Sequence, residues 1–242
     1  MENQIEISYP FGPCILETYC PEEIIDELNN YTEEVSRDPL LKSYFSSKDN
    51  NIPNLLLRDF ESIFIPKDFC DDIGFTEFVE KISQFYVKKF TKQDSQVELS
   101  VIDYDPSFSF RDKILYADAW INRYFSGDFT PSHNHGGDIS GVIFLKLSED
   151  LKKEQNENRY SSGDFPFVEN NEHLYEEEEL PRRMNGNLQF FYGSTNKYSY
   201  GTYNPIQKEG KVILFPSWLE HFVYPQKTNS ERRTISFNIR VL

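Results

Sequence analysis

Three of the four histidines fall where they could share one ligand. His133 and His135 flank Asn134 in Pro131-Ser132-His133-Asn134-His135-Gly136-Gly137-Asp138. Residues two apart in extended backbone point to the same side, so both imidazoles can reach one point. His221 lies far downstream, at the head of its own short apolar run. Two ligands close in the chain plus a third from a distant strand is how the mouth of a β-barrel assembles a metal site. Imidazole ligands with open positions suit iron, zinc or copper. Loop histidines satisfied by backbone hydrogen bonds would give the same spacing. Further on, Arg232, Thr234 and Ser236 alternate with Arg233, Ile235 and Phe237, which places three polar side chains on one strand face. If that strand lines a barrel, Arg232 projects its guanidinium inward. A buried arginine is costly without an anion, and its fork geometry matches a carboxylate. A structural pair with Asp or Glu, or a solvent-facing edge strand, would show the same alternation. Combined with metal-capable histidines, the arginine points to a carboxylate co-substrate that chelates the metal.

The elements that must position these residues occupy the second half of the chain. From about Val97 the sequence breaks into short β-type runs: Val97–Tyr104, Ile114–Phe125, Ser140–Leu147, Leu188–Tyr192, Lys211–Phe215, His221–Tyr224 and Arg233–Leu242. All are bounded by Gly, Pro, Asn or Asp. Short strands without intervening helices predict a β-sandwich or jelly roll rather than a βαβ sheet. The first 95 or so residues read as helices and loops. Pro21, Glu22 and Glu23 before Ile24, Ile25 and Leu28 mark one helix start, and Phe78, Ile82, Phe85, Tyr86 and Phe90 recur at helical spacing over about Thr76 to Lys92. Residues 1–96 are thus expected to support a core spanning 97–242, within one structural domain, with an acidic insert at 149–185. The polar run Glu149–Glu179 reads as a solvated, mobile loop, or as a lid or partner-binding insert.

Composition narrows the function classes. Forty acidic against 25 basic residues leave a formal charge of −15. Nucleic acid and anionic membrane surfaces, both bound through Lys and Arg, are disfavoured partners. Cys14, Cys20 and Cys70 have no CxxC spacing and read as idle thiols of a reducing cytosol. With neither a signal peptide nor an apolar run long enough to span a bilayer, the expected location is the cytoplasm.

Several segments resemble the iron(II)/2-oxoglutarate-dependent dioxygenases. They are Arg123-Tyr124-Phe125-Ser126-Gly127 with Pro131-Ser132-His133-Asn134-His135, then Ser140-Gly141-Val142-Ile143-Phe144, then Glu209 to His221 through Phe215-Pro216-Ser217-Trp218-Leu219, and Glu231-Arg232 with Ser236-Phe237-Asn238-Ile239. More narrowly, they resemble the branch of oxygenases of unassigned substrate related to prolyl 4-hydroxylase-like enzymes, and the resemblance covers about residues 115–242. The resemblance implies a mainly β double-stranded β-helix (jelly roll) with N-terminal helices packed outside. It implies Fe(II), 2-oxoglutarate and O2 as cofactor and co-substrates, with hydroxylation of a protein side chain or small molecule and release of succinate and CO2. Carried over, the first metal histidine falls on His133 and the distal one on His221. The co-substrate arginine falls on Arg232, with Thr234 at the hydroxyl position and Tyr124 and Asn122 as further contacts. Most of the superfamily carries His-x-Asp, whereas this chain has His133-Asn134-His135. Either His135 is the third ligand, the favoured reading, or Asp138 supplies a carboxylate, or the position no longer ligates. Two rival functions follow: an altered or inactive jelly-roll binding or regulatory protein, and a three-histidine oxygenase that does not use 2-oxoglutarate. Trp120, Trp218, Phe190 and Tyr192 are candidates both for the pocket wall and for plain packing.

Overall fold

Glu22 and Glu23 in the first turn, Arg37 in the last, and buried Ile24, Ile25, Leu28, Thr32 and Val35 along one side make residues 22–37 an amphipathic helix whose charges oppose its dipole. The structure is a computed structural model and describes residues 6–8, 12–48, 61–91, 95–102, 116–156, 184–194 and 201–242. In chain order, β1 (Glu6–Ser8) and β2 (Ile15–Tyr19) precede α1 (Glu22–Arg37) and α2 (Pro39–Phe45). β3 (Ser46–Lys48) and β4 (Glu61–Pro66) lead into α3 (Lys67–Asp72) and α4 (Phe75–Thr91). Then follow β5 (Val97–Leu99), β6 (Val101–Ile102), β7 (Tyr116–Tyr124), β8 (Thr130–His133), β9 (Ile139–Leu147) and α5 (Glu149–Asn156). The chain closes with β10 (Leu188–Phe191), β11 (Thr202–Tyr203), β12 (Lys211–Pro216), β13 (His221–Val223) and β14 (Arg232–Val241).

Among the described residues two antiparallel sheets result. The larger runs β1-β2-β12-β9-β14-β7-β4-β3, with β5 on β14 and β6 on β7; the smaller runs β11-β10-β13-β8. From β7 onward the chain passes back and forth between the two sheets, which is the winding of a jelly roll. One apolar core lies between the sheets, built around Phe144, Phe190, Ile213 and Phe215. A second joins the outer face of the large sheet to α1, α3 and α4 through residues such as Leu28, Cys70, Val79, Ile143, Ile235 and Phe237. The expected jelly roll with helices outside is what the structure has. Among the described residues no helix is long and apolar enough to cross a membrane.

The N-terminal part departs from the helix-and-loop expectation, because β2 and β4 extend the large sheet on both flanks. The acidic run departs as well. Its first eight residues form α5, with Leu151 in the inner core and the Glu154 carboxylate accepting the Lys227 and Thr228 N–H groups at 2.7 Å each. Two anchored side chains hold as helix what charge alone marks as loop. Residues 157–179 of that run lie outside the described residues.

On β14, side chains alternate as the sequence predicts. Ile235, Phe237 and Ile239 enter the outer core, so Arg232, Thr234, Ser236 and Asn238 face the opposite, inner side. Gly141 on β9 pairs with Phe237, and a Cβ there would sit 2.2 Å from the ring carbon Cζ. Gly141→Ala is therefore expected to displace Phe237 from its edge-to-face contact with Phe75. A loss of roughly 2–3 kcal/mol follows from such overpacking. Thermal unfolding should register it as a drop of roughly 5–10 °C for a chain this long.

A buried ion network fixes the outward side chains at the start of β14. Glu231 takes Arg123 Nε at 2.6 Å and Arg233 at 2.9 and 2.8 Å. Arg233 continues to Glu33 and Asn29 of α1 at 2.6 and 2.9 Å. An extra residue in β9, between the partners of Arg233 and Thr234, leaves Lys146 free to reach Glu231 at 3.1 Å. Burial raises the Glu231 pKa, but the Arg123 hydrogen bond and the two guanidinium charges overcome it and hold the carboxyl down to about 2. A carboxyl whose folded pKa is depressed stabilises above its unfolded value and loses that contribution as pH falls toward the folded one. The wild type is thus expected to lose roughly 3 kcal/mol of stability from this group between about pH 4.5 and 2. Urea midpoints at pH 6 and pH 3 should differ less in Glu231→Gln than in the wild type.

Candidate functional site

The three histidines meet at one end of the space between the sheets. β8 and β13 pair antiparallel with His133 directly opposite His221, and the His135 N–H donates to the Ser217 carbonyl at 2.9 Å. The four residues of β8 from Thr130 to His133 match the three of β13 from His221 to Val223, so β8 carries a bulge. That extra residue lets Thr130 and His133, three apart, both face inward, where strict alternation would set them on opposite sides. One ring nitrogen from each of His133, His135 and His221 lies within 4.8 Å of the others, a grouping that could hold a metal ion. His133 Nδ1 contacts the Pro131 carbonyl at 2.8 Å and His221 Nδ1 the Leu219 carbonyl at 2.9 Å. A carbonyl only accepts, so each Nδ1 carries the hydrogen and each Nε2 presents a lone pair. The Nε2 atoms of His135 and His221 approach to 3.2 Å. Burial pulls the His135 pKa down to about 4 and the His221 pKa down to about 3, and lowers that of His133. All three rings are neutral donors at physiological pH. Phe215 and Phe190 back His221 at 4.9 and 5.7 Å between centroids, and Trp120 flanks His135 at 5.6 Å.

Asp138 is not part of this group. It is exposed, and its Oδ2 accepts the Val241 N–H at 2.9 Å. Of the four aromatic candidates for a wall, Trp218 and Tyr192 are exposed and pack on each other at 5.9 Å.

Arg232 is 1 % exposed, and no carboxylate among the described residues pairs with it. Its Nε donates to Gln207 Oε1 at 2.9 Å, and its guanidinium carbon lies 4.9 Å from the centre of the Tyr124 ring and 5.6 Å from that of Phe144. NH1 is buried with no hydrogen-bond partner. Burial draws the guanidinium pKa down to about 10, against the pull of Tyr124. The neighbours on β14 thus divide the two readings of a buried arginine: Arg233 has the structural carboxylates, and Arg232 has none. Tyr124 is opposite Arg232 on β7, and its hydroxyl meets Thr130 Oγ1 at 2.8 Å, with burial raising its pKa. Thr234 and Asn122 are buried opposite each other. Asn122 accepts from Ser62 Oγ at 3.0 Å and donates to Ser236 Oγ at 3.3 Å. Gln207 and Thr130, which orient Arg232 and Tyr124, carry no signal in the sequence: each comes from a segment without periodicity.

A sequence model of the family described as "Putative 2OG-Fe(II) oxygenase" matches residues 118–238, half of the chain. The chain belongs to the 2OG-Fe(II) oxygenase family. No curated protein matches this oxygenase in sequence. Among solved structures it is similar to a prolyl-4-hydroxylase from Pseudomonas putida, at 12 % identity and TM-score 0.51, covering 93 % of this chain and 92 % of that one. It is also similar to AviO1 from Streptomyces viridochromogenes Tue57, at 13 % identity and TM-score 0.53, over 93 % and 89 % of the two chains. EctD from S. alaskensis, solved with 2-oxoglutarate and 5-hydroxyectoine, matches at 15 % identity and TM-score 0.52, over 96 % and 72 %. At such identities the likeness establishes the shared fold. Oxygenases of this family use Fe(II), 2-oxoglutarate and O2. The residues present suit that set: three neutral imidazoles for a first-row metal, and an unpaired buried guanidinium for a dicarboxylate.

Proposed function

We propose that this oxygenase hydroxylates a protein side chain or a small molecule, with His133, His135 and His221 holding Fe(II) and Arg232 anchoring 2-oxoglutarate. The observation that carries the reading is the buried, unpartnered NH1 of Arg232 inside a barrel whose mouth gathers three imidazole donors. When bound, Fe(II) with 2-oxoglutarate and O2 supplies the oxidising power to hydroxylate a C–H bond, the co-substrate leaving as succinate and CO2.

The chain's residues supply binding and orientation. The Pro131 and Leu219 carbonyls hold His133 and His221 in the tautomer that turns Nε2 to the metal. Gln207 fixes the Arg232 fork from one side and the Tyr124 ring supports its face, leaving NH1 to donate to a carboxylate oxygen. Thr234, on the same strand face, offers a hydroxyl to that carboxylate. Asn122, held between Ser62 and Ser236, is paired opposite Thr234. Phe144, Phe190 and Phe215 exclude water, which strengthens every charge interaction in the pocket. A three-histidine oxygenase without 2-oxoglutarate would leave the Arg232 guanidinium buried without a role.

The test is spectroscopic. Fe(II) and 2-oxoglutarate added without oxygen should give the weak visible metal-to-ligand charge-transfer band, and His133→Ala should lack it. Succinate should form once oxygen is admitted. A wild type without the band, indistinguishable from His133→Ala, would refute the reading.

A further inference from the structure

The mouth of the barrel carries a second polar cluster that neither the metal ligands nor the co-substrate anchor uses. On β7, Ala117, Ala119 and Ile121 enter the outer core, so Asp118 and Trp120 face inward, and Trp120 lies beside His135. The pairing of β7 with β14 ends at Ala119 and Phe237. Beyond it Ser100 bridges the two strands: its N–H donates to the Asn238 carbonyl at 3.0 Å and its carbonyl accepts the Asp118 N–H at 2.6 Å. Leu99 is in the outer core, so Ser100 turns the opposite way, to the side of Asp118 and Asn238. Ser100 is 4 % exposed, and its Oγ has no hydrogen-bond partner.

Asp118 Oδ2 accepts from Asn238 Nδ2 at 3.1 Å, and Asn238 Oδ1 in turn accepts from Ser140 Oγ at 2.7 Å. This ladder occupies one carboxylate oxygen and leaves the other. No lysine or arginine among the described residues forms an ion pair with Asp118, and Arg240 acts on it only through space. Burial raises the Asp118 pKa and outweighs the Asn238 hydrogen bond and the more distant Arg240 charge, the mark of a carboxylate partly removed from water with no cation in contact among the described residues. An acid in that state is relieved by an incoming cation, and an indole two residues along the same strand face attracts the same charge.

We propose that Asp118, Trp120 and Ser100 form the primary-substrate subsite and that the group it takes is an alkylammonium or guanidinium cation. The inference rests on the oxygenase reading above, which makes the neighbourhood of His135 the place of reaction. Asp118 accepts the cation's N–H, the Ser100 hydroxyl takes a second hydrogen bond, and the Trp120 ring covers the alkyl part. The net charge of −15 draws cations toward such a mouth.

The experiment titrates Fe(II)- and 2-oxoglutarate-loaded protein, without oxygen, in a calorimeter. The probes are n-butylamine against n-butanol, and a short peptide with a central lysine against the same peptide with norleucine. Each cation is expected to bind about tenfold more tightly than its neutral counterpart. Asp118→Asn should abolish that preference at an unchanged melting temperature, and Trp120→Leu should weaken the cation roughly threefold. A lysine peptide that outbinds butylamine marks a protein side chain as the source, and equal binding marks a small amine. Equal affinity for cation and neutral probe, or a preference that survives Asp118→Asn, overturns the proposal. If the charge-transfer band is missing while the Asp118-dependent preference persists, the oxygenase reading fails and the cation subsite stands.

Discussion

Replacing Arg232 by methionine is expected to abolish 2-oxoglutarate binding and, in its absence, to make the protein more stable. The two effects share one cause. Arg232 is buried with NH1 unpartnered and no carboxylate beside it among the described residues, so the co-substrate-free protein bears the desolvation of a charge that Gln207 and the Tyr124 ring offset only in part. Methionine fills similar space between Tyr124 and Phe144 without that charge, and replacing buried charges by apolar side chains stabilises by about 1–4 kcal/mol. With the co-substrate present the order reverses. Truncating one partner of a buried, hydrogen-bonded charge pair costs about 2–5 kcal/mol, which is roughly 30-fold to a few thousandfold in affinity. Thermal unfolding with and without 2-oxoglutarate and Fe(II) shows both. The wild type should melt lower alone and rise with co-substrate, as any ligand bound only by the native state requires. Arg232→Met should melt higher alone and not respond. A variant that melts lower and still responds would mean that Arg232 is a structural residue.

Much of this arrangement is legible in the chain because it depends on period-two alternation. Arg232, Thr234 and Ser236 against Arg233, Ile235 and Phe237 shows an inner and an outer face without any structure, and β14 has those faces. The strands that were missed break that signal with buried polar pairs. In β2, Glu17 is buried against Lys211 at 2.6 Å and the Tyr203 hydroxyl at 2.7 Å, an ion pair whose halves are nearly 200 positions apart. Read alone, such a glutamate marks a solvated segment. The bulges of β8 and β9 are invisible for a related reason, since an extra residue is defined only against a partner strand. Gln207 and Ser100 become significant only through what tertiary folding sets beside them. The thiols are the contrary case: Cys14, Cys20 and Cys70, which their spacing marks as idle, are buried in the outer core.

The second large effect concerns His135, which stands where the His-x-Asp pattern of the resemblance has aspartate. In the proposed site three neutral imidazoles would give the metal no compensating charge, so a dication held there would keep its full positive charge in a largely apolar surround. His135→Asp would bring one negative charge to within a few ångströms of the ion. At an effective dielectric near 20, unit charges about 4 Å apart attract by about 4 kcal/mol, and the desolvation of the new carboxylate together with its shorter reach cancels part of that. Anaerobic Fe(II) titration by calorimetry is therefore expected to show His135→Asp binding about tenfold more tightly than the wild type. His135→Ala should bind roughly a hundredfold more weakly, one of three donors being gone. Asp138→Ala supplies the control, because the Asp138 carboxylate is engaged with the Val241 N–H and stands outside the histidine group. Its iron affinity should equal that of the wild type. Should Asp138→Ala lose iron while His135→Ala retains it, the third ligand is the carboxylate and the all-histidine site is wrong. If His135→Asp binds iron more tightly yet forms succinate more slowly, the missing charge belongs to the reaction: a more electrophilic metal is what the third imidazole provides.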